Sequence, residues 1–377
     1  MATIGILGGG QLARMLALAG APLGHRFLVV DSAEDACAGQ VAPLLRADWR
    51  DFDQLRKFAD QVDVATFDFE NVPAETAQWL TTHTRVFPNP AALSVAQDRL
   101  LEKTLFGEIG LDTPTFAAVD SLEDLHAAVL KTKLPAVLKT RRLCYDGKGQ
   151  FILRQHSDIA TAWQALGGVP LILEAFVAFE SEVSVIAVRS RSGEFRHYPL
   201  TRNWHHRAIL SASLAPWVLD EDIERRAVAR ARALAERLDY VGVFALELFL
   251  CGDQILGNEM APRVHNSGHW TIEGSVCSQF ENHVRAVLGL PLGDTQALGY
   301  SVMLNWIGEL PDATPVLAEA RGHWHDYGKS PREGRKVGHA TLCADSPDEM
   351  VERLQRIGRA LGREDQVQPV IDVLAAR

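Results

Sequence analysis

With 377 residues, 47% hydrophobic and 23% charged, the chain has the length of two or three domains and enough apolar residues for ordinary globular cores. A formal net charge of −10 argues against non-specific nucleic-acid binding but leaves room for a local basic cluster that holds a small anion. No apolar run reaches the ~18 residues of a membrane span, and the scattered Cys37, Cys144, Cys251, Cys277 and Cys343 fit a reducing cytoplasm better than a disulfide framework or a zinc site.

Met1-Ala2-Thr3-Ile4 runs into an apolar strand without a basic leader, so no signal peptide is expected. The pattern predicts a strand at Thr3–Leu7, a turn at Gly8-Gly9-Gly10-Gln11, a helix over Leu12–Ala19 stopped by Gly20, and a second strand at Phe27–Asp31. Such a βαβ opening exposes backbone amides at a helix N-terminus, a natural anion site. Gly8 to Ala13 also satisfies the G-x-G-x-x-G/A dinucleotide pattern, with Asp31 about 20 residues on, so a dehydrogenase is a competing reading. Val62–Phe67 predicts another strand. Asp68-Phe69-Glu70-Asn71-Val72-Pro73 follows where α/β sheets place ligand loops, although a turn with a helix cap accounts for it equally well.

Phe87-Pro88-Asn89-Pro90 marks a boundary, giving an N-terminal domain of residues 1–90. Next come a helix from Gln97-Asp98-Arg99 to Gly110, a helical stretch from about Ser121, and a strand at Pro135–Lys139. The loop Thr140–Gln150 is polar and glycine-bearing, and reads as a flap between strands. Strands are expected at Leu171–Val177 and Glu182–Val188, and a charged helix at Glu221–Leu238. Pro291-Leu292-Gly293 closes a second domain, residues 91–296, and residues 297–377 form a small α+β unit with a basic loop at Tyr327–His339.

The densest chemistry lies at Asn258–Trp270, where a carboxylate, an amide, a guanidinium, an imidazole and a hydroxyl fall within ten residues. Unpartnered polar groups at that density are costly in a core. They suit a site with a metal at one end and an oxyanion at the other. Upstream, Gly242–Leu250 is an apolar strand whose single charge is Glu247, Cys251-Gly252-Asp253 reads as a turn, and Gln254–Met260 as the return strand. A three-residue loop puts Glu247 opposite Gly257 and diagonal to Glu259, about 7–8 Å apart and able to share an ion. A two-residue loop would put them on opposite faces. Two carboxylates beside Asn258 fit Mg²⁺, which typically takes one or two carboxylates plus substrate phosphates. A surface hairpin with solvated acids is the plain alternative.

Lys139 ends a strand just before the flap, as a phosphate-binding lysine should. Gly147 and Gly149 let the flap backbone approach a polyphosphate. Glu174 precedes Ala175-Phe176-Val177, which offers backbone groups to an adenine edge, and Glu182 offers an acceptor for ribose hydroxyls. Each residue alone also reads as ordinary surface chemistry; their order along the chain is what argues for a site.

That order, with Gly5–Leu12, Gln97-Asp98-Arg99, Tyr145–Gln150, Asn258–His269, Tyr327-Gly328-Lys329 and Gly334–His339, resembles the ATP-grasp superfamily and, within it, the N5-carboxyaminoimidazole ribonucleotide synthases of purine biosynthesis. The family usually has glycine where this chain has Cys144. The resemblance implies an α/β architecture: an N-terminal Rossmann-like (pre-ATP-grasp) domain, an ATP-grasp domain and a small C-terminal domain. It implies an ADP-forming ligase using ATP, Mg²⁺, bicarbonate and 5-aminoimidazole ribonucleotide, in a cytoplasmic homodimer. Arg99, Lys139, Cys144, Tyr145, Asp146, Gly147, Lys148, Gly149, Gln150, Glu174, Ala175, Phe176, Val177, Glu182, His205 or His206, Asn258 and Glu259 would form the nucleotide site. Gly9, Gly10, Gln11, Tyr145, Asp146, Arg263, His265, Asn266, Ser267, Lys329, Arg335 and Lys336 would hold the ribonucleotide. Asp146, Lys148 and Arg263 would serve the chemistry, and Glu247 and Glu259 the metal. A relative using formate or another acceptor is an alternative, distinguished by a different basic loop.

Overall fold

The computed structural model describes residues 1–142 and 149–376. Among the described residues three sheets form. The first is parallel, in the order β3-β2-β1-β4-β5, from β1 (Thr3–Leu7), β2 (Arg26–Asp31), β3 (Leu44–Arg46), β4 (Val64–Phe67) and β5 (Arg85–Val86). Ile4, Ile6 and Leu7 of β1 are buried, as expected for a parallel strand covered on both faces. The chain leaves β1 through Gly8 at φ +101, a conformation that glycine adopts without strain, and enters the helix Gln11–Gly20.

A second, antiparallel sheet has the order β6-β9-β7-β8: β6 (Phe116–Val119), β7 (Ala136–Thr140), β8 (Gln150–Leu153) and β9 (Leu171–Ala175). Helices Leu122–Thr132 and Asp158–Leu166 close over it, burying Val129, Leu138, Ala162 and Leu173 together. This small sheet carries Lys139 and Glu174 diagonally across the antiparallel β7–β9 pair, Lys139 opposite Ile172 and Glu174 opposite Val137.

The third sheet is the floor of the molecule. It contains β10 (Ser181–Arg189), β11 (Phe195–His197), β12 (Thr201–His206), β13 (Ile209–Ala215), β14 (Gly242–Cys251), β15 (Gln254–Ala261), β16 (Tyr300–Ile307), β17 (Gly322–Asp326) and β18 (Lys336–Ala344). Its order is β15-β14-β10-β12-β13-β16-β18-β17, with β11 also on β10. Because Ala212–Ala215 pairs with Ser301–Leu304, the strands after residue 297 continue the same sheet as the β14–β15 hairpin. The basic loop before β18 therefore leaves the same sheet that carries that hairpin.

Side chains alternate across a strand, and along β14 this alternation makes the site. Phe244, Leu246, Leu248 and Leu250 face one core, against the helix Glu221–Arg237 and the C-terminal helices. Val243 and Ala245 face the other core, against the helices Gln11–Gly20 and Gln279–Leu288. On that second face the next two residues, Glu247 and Phe249, emerge from the core and line a cleft. The helix Gln279–Leu288 also joins the first and third sheets. His283 Nδ1 accepts from Val243 N of β14 at 3.0 Å, which leaves Nε2–H to donate to Thr66 Oγ of β4 at 2.7 Å.

Candidate active site

A cleft of about 1230 Å³ lies where the three sheets meet. The β14–β15 hairpin lies on its floor, and its register differs from the expected one. The loop is two residues, with Cys251 paired to Gln254 and Leu248 to Gly257. Gly252 takes φ +57, which such a turn requires at its first position. This register alone would send Glu259 to the wrong face. A one-residue bulge after Gly257 shifts the ladder, however, and Glu247 stands directly opposite Glu259. The three-residue loop is thus corrected to a two-residue loop plus a bulge at Asn258, which no local signal announces. Glu247 is buried while Glu259 is partly exposed. Burial and the neighbouring Glu259 charge push the Glu247 carboxyl up to about 8.

The nucleotide-side residues fall on two levels. Arg99 Nη2 reaches Glu259 Oε2 at 3.2 Å, and Lys139, Gln150 and Asn258 line the cleft beside it. Glu182 accepts from His205 Nδ1, and both line the cleft, so of the two candidate histidines it is His205 that faces it. Burial opposes a charged His205, but the Glu182 bond outweighs it and raises the imidazole above its ordinary range. Glu174 sits deeper, 2% exposed, against Lys139 Nζ at 3.1 Å and Lys103 Nζ at 3.6 Å. Burial pushes its carboxyl up, yet the two ammonium groups outweigh burial and hold it at about 2. Glu174 therefore braces Lys139 from behind. Of the expected backbone donors, Ala175 N and Phe176 N are already bonded to Thr115 O and Pro135 O, so these two amides are not open to an adenine edge. The polar reading of this end also overlooked its aromatic wall, where Phe249 stacks on Phe179 at 4.5 Å. Gly149, at φ +68, is the turn residue just before β8. Cys144, Tyr145, Asp146, Gly147 and Lys148 lie outside the described residues.

The other end of the cleft departs further from expectation. Carboxylates take the amides of the first glycine turn: Gly9 N donates to Asp31 Oδ2 at 2.6 Å, and Gly10 N and Ala13 N donate to Asp68 at 2.8 Å each. The anion site of bare amides is corrected accordingly, because the chain supplies its own anions to that helix N-terminus. Asp31, the presumed ribose acceptor of a dinucleotide fold, is spent on the turn itself, which removes support from the dehydrogenase reading. Gln11 still faces the cleft, where its side-chain oxygen accepts from Lys329 of the C-terminal basic loop. Burial lowers the Lys329 ammonium. Arg335 and Lys336 line the cleft beside it, with Arg335 Nη1 bonded to Ser330 O at 3.1 Å.

Arg263 enters from the floor and is held by Glu70 through its Nε and by Val264 O through Nη1 at 3.1 Å. Burial would raise the Glu70 carboxyl, but Arg263 outweighs it and holds it low. His265 lies 3.5 Å from Glu247 and 2.9 Å from Ser267 Oγ. Burial first, then Arg263, drives its imidazole well below the ordinary range. Gln279 clamps the backbone of His265 on both sides, at 2.9 and 2.7 Å. Asn266 borders the cleft while exchanging amide bonds with Asn305 at 3.1 and 2.7 Å. Ser267 is fully buried, and its hydroxyl bonds Ser184 at 3.0 Å. It supports His265 and does not face the cleft, so its expected contact with substrate is corrected to a positioning one.

Comparisons with known proteins decide what this arrangement belongs to. A ribonucleotide synthetase pre-ATP-grasp profile matches residues 1–97, an ATP-grasp profile residues 104–280, and a phosphoribosylaminoimidazole carboxylase C-terminal profile residues 301–353. The N5-carboxyaminoimidazole ribonucleotide synthase of Pseudomonas aeruginosa is 54% identical, over 91% of this chain and 95% of its own. The chain belongs to the N5-carboxyaminoimidazole ribonucleotide synthase family. A solved member from Thermus thermophilus is 52% identical with a TM-score of 0.91, covering 94% of this chain and 98% of its own. A member from Aspergillus clavatus, solved with ADP and 5-aminoimidazole ribonucleotide, is 29% identical with a TM-score of 0.86, covering 100% of this chain and 99% of its own.

Within this family member, the residues that sequence reasoning passed over are those whose partners are distant. Asp68 and Glu70 lie in a segment equally readable as a turn and cap. Glu102 and Lys103 lie mid-helix, where a Glu-Lys pair ordinarily faces water. Only their burial, at 2% and 1% exposed, marks them out.

Proposed function

We infer that the protein is an ATP-dependent carbon–nitrogen ligase of purine biosynthesis. It carboxylates 5-aminoimidazole ribonucleotide with bicarbonate and forms N5-carboxyaminoimidazole ribonucleotide, ADP and phosphate. The observation that carries this reading is one cleft with the facing Glu247–Glu259 pair between two clusters of cations: Arg99 and Lys139 on one side, Arg263, Lys329 and Lys336 on the other. A nucleotide polyphosphate and a second anion fit such a distribution, and a single anionic ligand does not need it.

In this reading bicarbonate attacks the γ-phosphate, ADP leaves, and carboxyphosphate forms. The ribonucleotide amine then attacks the activated carboxyl carbon, loses a proton and releases phosphate. Phosphoryl transfer of this kind depends on positioning and charge neutralisation. Lys139, braced by Glu174, is suited to hold phosphate oxygens. Glu182 is suited to accept from ribose hydroxyls, with His205, bonded to it, lining the same cleft. Arg263, whose Nε is tied to Glu70, presents its outer guanidinium edge to the acyl phosphate. Lys329, Arg335 and Lys336 hold the ribose phosphate, with Gln11 orienting Lys329. Asp146 is assigned the amine proton, and Lys148 a phosphate, on the family resemblance alone.

The donor set fits Mg²⁺. Among the described residues no group of three His, Cys, Asp or Glu side chains is arranged for a metal. Two carboxylates completed by substrate phosphates is a common Mg²⁺ arrangement, and a carboxyl pushed to about 8 by burial and then by its neighbour gains from a shared cation. Glu247 and Glu259 would hold the ion, which would neutralise phosphate charge. The reading also takes the protein to be a cytoplasmic homodimer; no helix among the described residues is long and apolar enough to cross a membrane.

The test is ADP release with ATP, bicarbonate and 5-aminoimidazole ribonucleotide omitted in turn, with product detected by mass. Release that is independent of the ribonucleotide, without a carboxylated product, would refute the assignment.

A further inference from the structure

β15 is the edge strand of its sheet and carries the bulge that aligns Glu247 with Glu259, so its outward backbone groups have no ladder partner. One face of the helix Arg99–Glu108 takes them up. Lys103 Nζ donates to Gly257 O at 3.0 Å and to Asn258 O at 2.7 Å. Glu102 Oε1 accepts from Met260 N at 2.6 Å. Arg99, three and four residues earlier and so on the same helical face, bonds the Glu259 side chain. Asp112 O, just beyond the helix, accepts from Gly257 N at 2.7 Å. The fit leaves no room at Gly257, where a Cβ would lie 2.8 Å from both Phe106 and Leu111. Residues 257–260 are thus bonded to one helix and the segment that follows it.

Burying an acid and a base on that helix is costly unless their polar atoms are satisfied. Apolar side chains would fill the same space against β15, but they could not bond the carbonyls and amide of that edge.

We propose that Glu102 and Lys103 are positioning residues that hold the β15 bulge and thereby set Glu247 and Glu259 face to face for one divalent ion. The proposal rests on the metal reading above and extends it: the geometry of the pair is written by a helix about 150 residues earlier in the chain. The bond from Met260 N asks only for an oxygen acceptor at that place, which an amide of the same shape also offers. That makes Glu102→Gln a fair mimic and Glu102→Leu a deletion of the acceptor.

The experiment titrates Mn²⁺ into protein saturated with ADP and follows the free-ion signal by electron paramagnetic resonance. Glu102→Leu is expected to weaken Mn²⁺ binding roughly tenfold or more, the size of effect seen when groups supporting metal ligands are removed. Glu102→Gln is expected to restore it. Lys103→Met should weaken it similarly, and stands in if Glu102→Leu does not fold. Unchanged Mn²⁺ affinity in a folded Glu102→Leu or Lys103→Met overturns the proposal, as does an equal loss in Glu102→Gln. Glu259→Gln separates the two levels. If it loses Mn²⁺ while the helix variants keep it, only the positioning role fails; if it keeps Mn²⁺, the metal reading fails and the proposal with it.

Discussion

Glu247 and Glu259 face each other across a hairpin whose two-residue turn would, without a bulge, hold them on opposite faces. Their opposition is a property of the bulge at Asn258 and of the helix bonded to it. The consequences for activity can be measured.

Replacing either acid by its amide removes one anionic ligand from a site that has few. Glu247→Gln and Glu259→Gln should each abolish turnover while the fold persists. Circular dichroism and ADP release, measured together, check this. Normal turnover at ordinary Mg²⁺ in either variant would sink the metal assignment.

The Glu247 carboxyl, raised to about 8 by burial and by Glu259, also predicts a pH dependence. Between the ordinary carboxylate range and about 8 the folded protein keeps a proton that the unfolded chain has released. The stability this group contributes is therefore present below the unfolded value and lost as pH rises through about 8. A divalent ion must displace that proton, so ion affinity should rise with pH up to about 8 and then level off. Calorimetry of Mg²⁺ binding to the ADP complex on either side of that pH, in buffers of different ionisation heat, reads both affinity and proton release. A flat profile would mean that Glu247 is already ionised.

Arg263 and Lys329 both bring positive charge to the far end of the cleft, but they differ in geometry. A guanidinium spans two oxygens of one anion and an ammonium does not. Arg263→Lys should therefore lose more than Lys329→Arg, although each keeps the charge. A lost charge-assisted contact at a buried anion is worth about 1.5–3 kcal/mol, roughly one to two decades in kcat/KM for the ribonucleotide. If Arg263→Lys alters only KM for ATP, Arg263 serves the nucleotide.

Asp146→Asn tests the proton acceptor. ATP hydrolysis supported by bicarbonate should persist while carboxylated product falls, because the amine can no longer shed its proton. Equal loss of both would make Asp146 a binding residue.

His283 predicts acid sensitivity at the junction between the first and third sheets. Burial pushes its imidazole down from 6.5 to about 4. Between those values the unfolded chain binds a proton that the folded protein refuses, so stability is retained above 6.5 and lost as pH falls toward 4, by on the order of 3 kcal/mol in all. His283→Gln, which can still donate and accept, should flatten that slope in urea melts across the interval. An unchanged slope would mean that other groups govern it.

How far the sequence reached depends on the range of the interaction. The βαβ opening, the apolar β14 with its single charge and the helix that follows Gln97 were legible, because periodicity is local. The order of motifs from Lys139 to Glu259 was legible as a family pattern, and the comparisons show that family. Tertiary structure alone decided the rest. The turn at Gly8–Gly10 carries every mark of an open anion site until Asp31 and Asp68 arrive from two later strands and occupy its amides. Ser267 reads as a ligand contact until β10 brings Ser184 to its hydroxyl. The Glu247–Glu259 register is out of reach of turn length alone, because the bulged edge strand needs backbone partners that the hairpin's own sequence does not supply. Here those partners, Glu102 and Lys103, come from a helix more than 150 residues away.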